Sequence, residues 1–136
     1  MTKGVQDRML EVERIRDAFH SAIYSASGPE TALALTTSDC VLENLPSGGG
    51  AIGGDALRRC LTEDVLPHLP ADLTFRRISR TGDRWRVAQE RHRRFHARRE
   101  LPWLLPGIDP TGRRAEILAI SVTIVRRSLV AHYRTL

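Results

Sequence analysis

The sequence predicts an α+β fold, a cone-shaped, curved antiparallel sheet packed against three N-terminal helices in a single domain over residues 1–136. Three observations carry this. Apolar residues recur with helical period only before Pro67. From residue 72 onward the pattern becomes that of strands, with Thr81-Gly82-Asp83-Arg84 as a turn joining two antiparallel partners. Helices that precede a run of strands, instead of alternating with them, exclude a βαβ arrangement.

Taken in order, Val5, Met9, Val12, Phe19 and Ile23 form the apolar stripe of a first amphipathic helix that ends near Ser27-Gly28-Pro29. A short second helix from Pro29 to Thr36 buries Ala32, Leu33 and Leu35. Ser38-Asp39 punctuates the chain before a strand over Cys40–Leu45, which Pro46 and the flexible loop Ser47-Gly48-Gly49-Gly50 stop. That glycine run lacks the Lys and Ser/Thr of a phosphate-binding loop. Asp55 in Gly53-Gly54-Asp55 caps a third helix whose stripe is Leu57, Leu61 and Val65, ending at Pro67. Strands follow over 72–81 and 84–98. Ala115 to Val125 is nearly continuous apolar sequence, read as a central strand covered on both faces. Val130 to Leu136 begins a last strand.

Composition narrows the function classes. At 41% hydrophobic the chain is too apolar for disorder, and no run reaches the ~18 apolar residues of a membrane span. The charged N-terminus lacks the apolar stretch of a signal peptide, so a cytoplasmic location without membrane partners is expected. The formal charge of +5 is uneven: between Arg76 and Arg99 ten Arg face only Asp83 and Glu90, a local +8 that leaves −3 elsewhere. Clustered Arg suits phosphates, yet Phe75, Trp85 and Phe95 form no stacking motif and Arg91, Arg93 and Arg94 cannot share one face. Nucleic acid is therefore disfavoured against a charged sheet surface or ion pairs across a dimer. Cys40 and Cys60 have no metal-type spacing and read as small apolar fillers; neither a metal nor a cofactor is expected.

The element order, the Leu42-Glu43-Asn44-Leu45-Pro46 strand end, the Gly53-Gly54-Asp55-Ala56-Leu57 helix start, the Thr81-Gly82-Asp83-Arg84 turn and the Pro110-Thr111-Gly112-Arg113 turn together resemble the SnoaL-like branch of the nuclear transport factor 2-like superfamily. The resemblance covers nearly the whole chain. It implies a curved sheet around a mostly apolar pocket, a homodimer, and polyketide cyclase, ketosteroid isomerase or limonene epoxide hydrolase relatives alongside non-catalytic binding or dimerisation modules. Against the limonene epoxide hydrolase pattern, Asn44 matches the water-holding Asn and Arg91 the relay Arg. Leu42 stands in place of the Tyr, and Arg93 and Thr135 in place of the two Asp. Against the ketosteroid isomerase pattern, Asn44 replaces the proton-abstracting Asp, Ser121 and Val122 offer no acid, and His20 falls near the helix Tyr. The late-strand carboxylate of the cyclases is also missing, so all three mechanisms lack their base.

The remaining candidates for chemistry are His20, Asn44, Glu90 and His92. Glu90 and His92 lie two apart and share a face, an acid–base pair if that face is inner and solvated charges if it is outer. His20 is either a proton carrier or a partly exposed neighbour of Phe19. Asn44, polar at the end of an apolar strand, needs partners and is expected to face the cavity. Phe19, Tyr24, Leu42, Arg91 and Ile120 are expected to line that pocket. Trp103 and Leu104, in an apolar loop stiffened by Pro102 and Pro106, form a lid, a second-subunit patch, or a segment folded onto its own core. The functional expectation is a small apolar molecule bound in the cone, with isomerase, cyclase or hydrolase chemistry or with none.

Overall fold

The computed structural model describes residues 2–25 and 28–136, so the Ser27 part of the predicted first helix end lies outside the described residues. Helix α1 (Lys3–Ile23) starts where the Thr2 hydroxyl accepts the Val5 amide. Its buried stripe is Val12, Arg16, Phe19, His20, Ala22 and Ile23, so a charged and a titratable residue stand on the face that packs against the sheet. Helix α2 (Pro29–Leu33) stops three residues short of the predicted Thr36. There the Thr36 hydroxyl donates to the Leu33 carbonyl at 2.9 Å while its backbone pairs with Val130, so this residue already belongs to strand β1 (Thr36–Asn44).

The loop predicted at Ser47-Gly48-Gly49-Gly50 is instead a turn followed by strand β2 (Gly49–Ile52), which pairs antiparallel with β1. Gly50 is required there: at φ 153° a Cβ would sit 2.1 Å from the Leu42 carbonyl oxygen. Helix α3 (Gly54–Cys60) is entered through Gly53 at φ 87°, which takes the cap position predicted for Asp55 and leaves that carboxylate in the first turn. The helix continues as a π turn over Leu61–Val65 and a 3₁₀ turn over Leu66–His68, so Pro67 lies inside its last turn.

Strands β3 (Thr74–Gly82), β4 (Arg86–His96), β5 (Arg114–Arg126) and β6 (Leu129–Thr135) complete one six-stranded sheet in the order β2-β1-β6-β5-β4-β3. Every neighbouring pair is antiparallel except β1 with β6, which are parallel, a departure from the all-antiparallel expectation. Register shifts in β1, β3 and β5–β6 bend the sheet around the helices. The core between helices and sheet contains Phe19, Ile23, Leu42, Leu57, Leu61, Phe95 and Tyr133.

Among the described residues only one face of the sheet is covered. Along β5 Ala119, Ser121, Thr123 and Val125 are buried while Glu116, Leu118 and Ile120 are exposed, which corrects the reading of this strand as buried on both faces. Ile120, 37% exposed on the outer face, is thereby removed from the pocket. Among the described residues no helix is long and apolar enough to cross a membrane.

Candidate functional site

The two-residue period of β4 aims Gln89, Arg91, Arg93 and Phe95 at the helices and Glu90, His92 and Arg94 at the outer surface. The i, i+4 spacing of Arg16 and His20 on α1 brings both onto the stripe that faces those β4 side chains. Ser121 of β5 and Tyr133 of β6 close the group. Together Arg16, His20, Gln89, Arg91, Arg93, Ala119, Ser121 and Tyr133 line a chamber of about 10 Å³. Its lining is polar and cationic, so the predicted apolar character of the pocket is corrected: apolar packing occupies the neighbouring core and charge occupies the chamber.

The guanidinium groups are poorly matched. Arg16, 1% exposed, donates to Ser121 Oγ at 3.1 Å and to Asp17 Oδ1 at 3.2 Å. Arg93, 4% exposed, donates to the Tyr24 hydroxyl at 3.4 Å and lies over its ring. Arg91 meets His20 Nδ1 at 3.3 Å, sits over the Phe75 ring, and reaches Asp17 only at 3.9 Å. Asp17 stands half-exposed at the rim and is also held by Arg80. Three cations thus converge on the chamber, and among the described residues Asp17, outside it, is the one carboxylate that pairs with any of them, namely Arg16 and Arg91. Arg16 Nε, Arg91 Nε and Gln89 Nε2 are buried without a hydrogen-bond partner among the described residues.

This field is felt by the other groups. Burial, reinforced by Arg16, Arg91 and Arg93, pushes the His20 imidazole down to about 2, so it is neutral at physiological pH. Burial and then Arg16 lower Arg91 to about 10. Burial raises the Tyr133 phenol, with Tyr24 adding to the effect and Arg16 opposing it, so the hydroxyl stays protonated. Neutral His20 packs edge-on against Phe75 and beside Tyr24.

The other predicted residues fall elsewhere. Glu90 and His92 are on the outer face, where Glu90 accepts from Ser79 Oγ at 2.7 Å and His92 Nδ1 meets Arg76 at 3.1 Å; the acid–base pair in the pocket is corrected to a surface network. Phe19 and Leu42 are buried core, Phe19 against Tyr133 at a 5.3 Å centroid distance. Asn44 is buried, and its Nδ2 donates to Ser47 Oγ at 2.8 Å and to the Trp103 carbonyl at 2.7 Å. It therefore clamps the Leu101–Leu105 segment. Leu101, Trp103 and Leu104 are buried in the core, and Trp103 Nε1 donates to the Tyr24 hydroxyl at 3.3 Å. The Trp103 indole is thus one hydrogen bond from the group that Arg93 holds. On its other side it lines a surface cleft of about 270 Å³ with Ser47, Gly49, Asp64, His68 and Pro102.

Sequence reasoning missed Arg16, Gln89 and Tyr133, weighed Ser121 only as a position without an acid, and gave Arg93 no role of its own. The available signal was Arg16 itself, a charge on the apolar stripe between Val12 and Phe19. Among the described residues no cluster of His, Cys, Asp or Glu is arranged for a metal. Cys40 and Cys60 are free and buried, and burial raises their thiols to about 12 and about 11, which makes them inert fillers as read from the sequence.

No family model and no curated protein matches the chain. Solved structures do. A candidate SnoaL-like polyketide cyclase from Jannaschia sp. CCS1 superposes with TM-score 0.71 at 12% identity, over 100% of this chain and 88% of that one. A protein with a ketosteroid isomerase-like fold from Catenulispora acidiphila, in complex with trimethylamine, gives 0.66 at 11% identity, over 90% and 83%. An NTF2-like protein from Burkholderia xenovorans LB400 gives 0.65 at 17% identity, over 93% and 88%. With the order of helices and strands, the single parallel pair and a chamber between α1 and the sheet already established, these likenesses identify the architecture: the chain has the nuclear transport factor 2-like fold of the SnoaL-like and ketosteroid isomerase-like proteins.

Proposed function

We propose that the chain is a small-molecule-binding protein that takes a polar-headed organic ligand at the inner-face chamber, with Trp103 as its lid, and acts as a homodimer. The observation that carries this is the convergence of Arg16, His20, Gln89, Arg93, Ser121 and Tyr133, all buried, where a purely structural interior would place apolar side chains. The trimethylamine complex of one neighbour, and another co-crystallised with polyporic acid, support small-ligand binding on this fold. Binding is favoured over isomerase, cyclase or hydrolase turnover. His20, with its pKa pushed down to about 2, is too weak a base to take a proton at neutral pH, Glu90 and His92 face away, and Asp17 is engaged by Arg16 and Arg80. Two free buried cysteines accord with a cytoplasmic setting.

The test is Trp103 emission in a Trp85→Phe variant, which leaves a single indole. Titration with benzamide and with sodium benzoate is expected to give a saturable change for at least one of them. Unchanged emission with both, together with no heat of binding, overturns the reading.

The homodimer rests on the outer face. Leu118 (54% exposed) and Ile120 (37%) form its apolar centre, with Val122 and Ile124 continuing along β5. Charges of both signs flank this stripe, Arg94 with Glu116 on one side and Arg134 and His132 with Glu43 on the other. A two-fold axis through such a face sets apolar centre on apolar centre and acid near base. Ile120→Arg is expected to weaken dimerisation about 30-fold, the scale of a ~2 kcal/mol interface hot spot, as read by sedimentation equilibrium. A wild-type chain that sediments as a monomer at high micromolar concentration would refute the interface.

A further inference from the structure

We infer that the chamber is an anion receptor and that its ligand carries a planar monoanionic oxygen group, a carboxylate or an enolate, which Arg16 and Arg93 bind from within the core. The inference deepens the small-molecule reading above and rests on it.

Charge is the first argument. Arg16 and Arg93 are 1% and 4% exposed, and Arg91 has a side chain 19% exposed at the chamber mouth. Among the described residues the one carboxylate that pairs with any of them, Asp17, lies at the rim, meets Arg16 and Arg91, and is shared with Arg80. A guanidinium removed from water without a matching anion is strongly disfavoured; Arg93 has no carboxylate partner among the described residues, and Arg16 and Arg91 share theirs with Arg80. An anion placed among them replaces mutual repulsion with attraction in a low-dielectric setting.

Hydrogen-bond inventory is the second. Arg16 Nε, Arg91 Nε and Gln89 Nε2 are all donors, all buried, and all without partners among the described residues. Ser121 and Tyr133 add hydroxyls. A surplus of donors calls for an acceptor-only group, which describes a carboxylate or enolate and not an amine or an alcohol.

Size is the third. A chamber of about 10 Å³ has room for about one water-sized group, so it takes a single anionic oxygen and the rest of the ligand stays outside it. Arg91 is the most exposed of the three cations, and Trp103 and Tyr24 stand on the other side of Arg93. The ligand body therefore extends from the chamber toward the mouth or the lid.

The experiment is a calorimetric titration with sodium benzoate, benzamide and sodium chloride at constant ionic strength, repeated on Arg93→Met and on Arg94→Met. Arg94 is the neighbouring residue on the opposite face, paired with Glu116, and controls for general loss of charge. Benzoate is expected to bind saturably and at least tenfold more tightly than benzamide or chloride. Arg93→Met is expected to lose at least tenfold in benzoate affinity, and Arg94→Met less than twofold. Removing a buried, poorly paired cation in favour of an apolar chain of similar length leaves the fold intact, which circular dichroism checks. Benzamide binding as tightly as benzoate, or chloride matching it, overturns the anion receptor while leaving the small-molecule site standing. No binding of any probe removes both.

Discussion

Trp103→Ala is expected to destabilise the fold by about 3–5 kcal/mol, the cost of truncating a large buried aromatic side chain. Trp103 is 4% exposed and belongs to the main core together with Leu101 and Leu104. Its surroundings cannot collapse to fill the space. The Leu101–Leu105 segment is pinned by its own bridge and by Asn44 Nδ2 on the Trp103 carbonyl, and Gly49 faces the ring so closely that an added Cβ would lie 3.1 Å from it. Trp103→Phe keeps most of the volume and loses the hydrogen bond to Tyr24, so it is expected to cost about 1 kcal/mol for that bond, plus the volume difference. Urea denaturation should therefore show a large fall in midpoint for Ala, a small one for Phe, and an unchanged m-value. The Ala variant also removes the wall between the outer cleft and the Tyr24 hydroxyl. If it costs less than ~1 kcal/mol, the segment is a loosely held surface loop and not a packed lid.

The same segment shows what the sequence could and could not reveal. Its apolar character and its two prolines were enough to single it out as a lid or a self-packed loop. The partner that holds it, Asn44, lies 59 residues away and could be seen only as a polar residue in need of company. Helix α1 was legible because its stripe repeats with helical period over five turns. Strand β4 was legible as a strand, but not its facing: Arg91 and Arg93 point inward, Glu90, His92 and Arg94 outward, and with charges on both faces the alternation carries no sign. This is why the sequence leaves open whether Glu90 and His92 face inward, and why it points to Arg91 in the pocket but not to Arg93. Strand β2 escaped notice because Gly49, Gly50 and Ala51 have little intrinsic strand preference, and its existence depends on the edge that β1 offers. The parallel pairing of β1 with β6 joins the first and last strands, and no local pattern encodes it. The fold class survived these errors because it depends on the order of elements, whereas the site depends on which side of one strand faces the helices.

His20 gives the second large expected effect, a loss of stability on acidification that begins well above the carboxylate range. Its folded pKa is lowered from 6.5 to about 2 by burial and by Arg16, Arg91 and Arg93. At pH values above 6.5 the ring is neutral in both folded and unfolded chains, and the contribution to stability is complete. Below 6.5 the unfolded chain takes up a proton that the folded chain refuses, so stability falls with pH toward the folded value near 2. The limiting slope for one proton is about 1.4 kcal/mol per pH unit, which amounts to roughly 2–3 kcal/mol between pH 6.5 and 4.5. The depressed carboxylates Glu30, Asp39, Glu43 and Asp72 act in the same direction but mainly near and below their ordinary values of 4.5 and 3.8, so the histidine dominates the upper part of that window. Urea midpoints measured across it should slope downward in the wild type, and His20→Gln should remove most of the slope. A bound anion opposes it. By reducing the repulsion from Arg16, Arg91 and Arg93 it makes the imidazolium less costly, so saturating benzoate is expected to shallow the decline in the wild type and to leave His20→Gln unaffected in slope. A flat wild-type profile between pH 6.5 and 4.5 would show that His20 is protonated in the folded chain, which is incompatible with three cations converging on it.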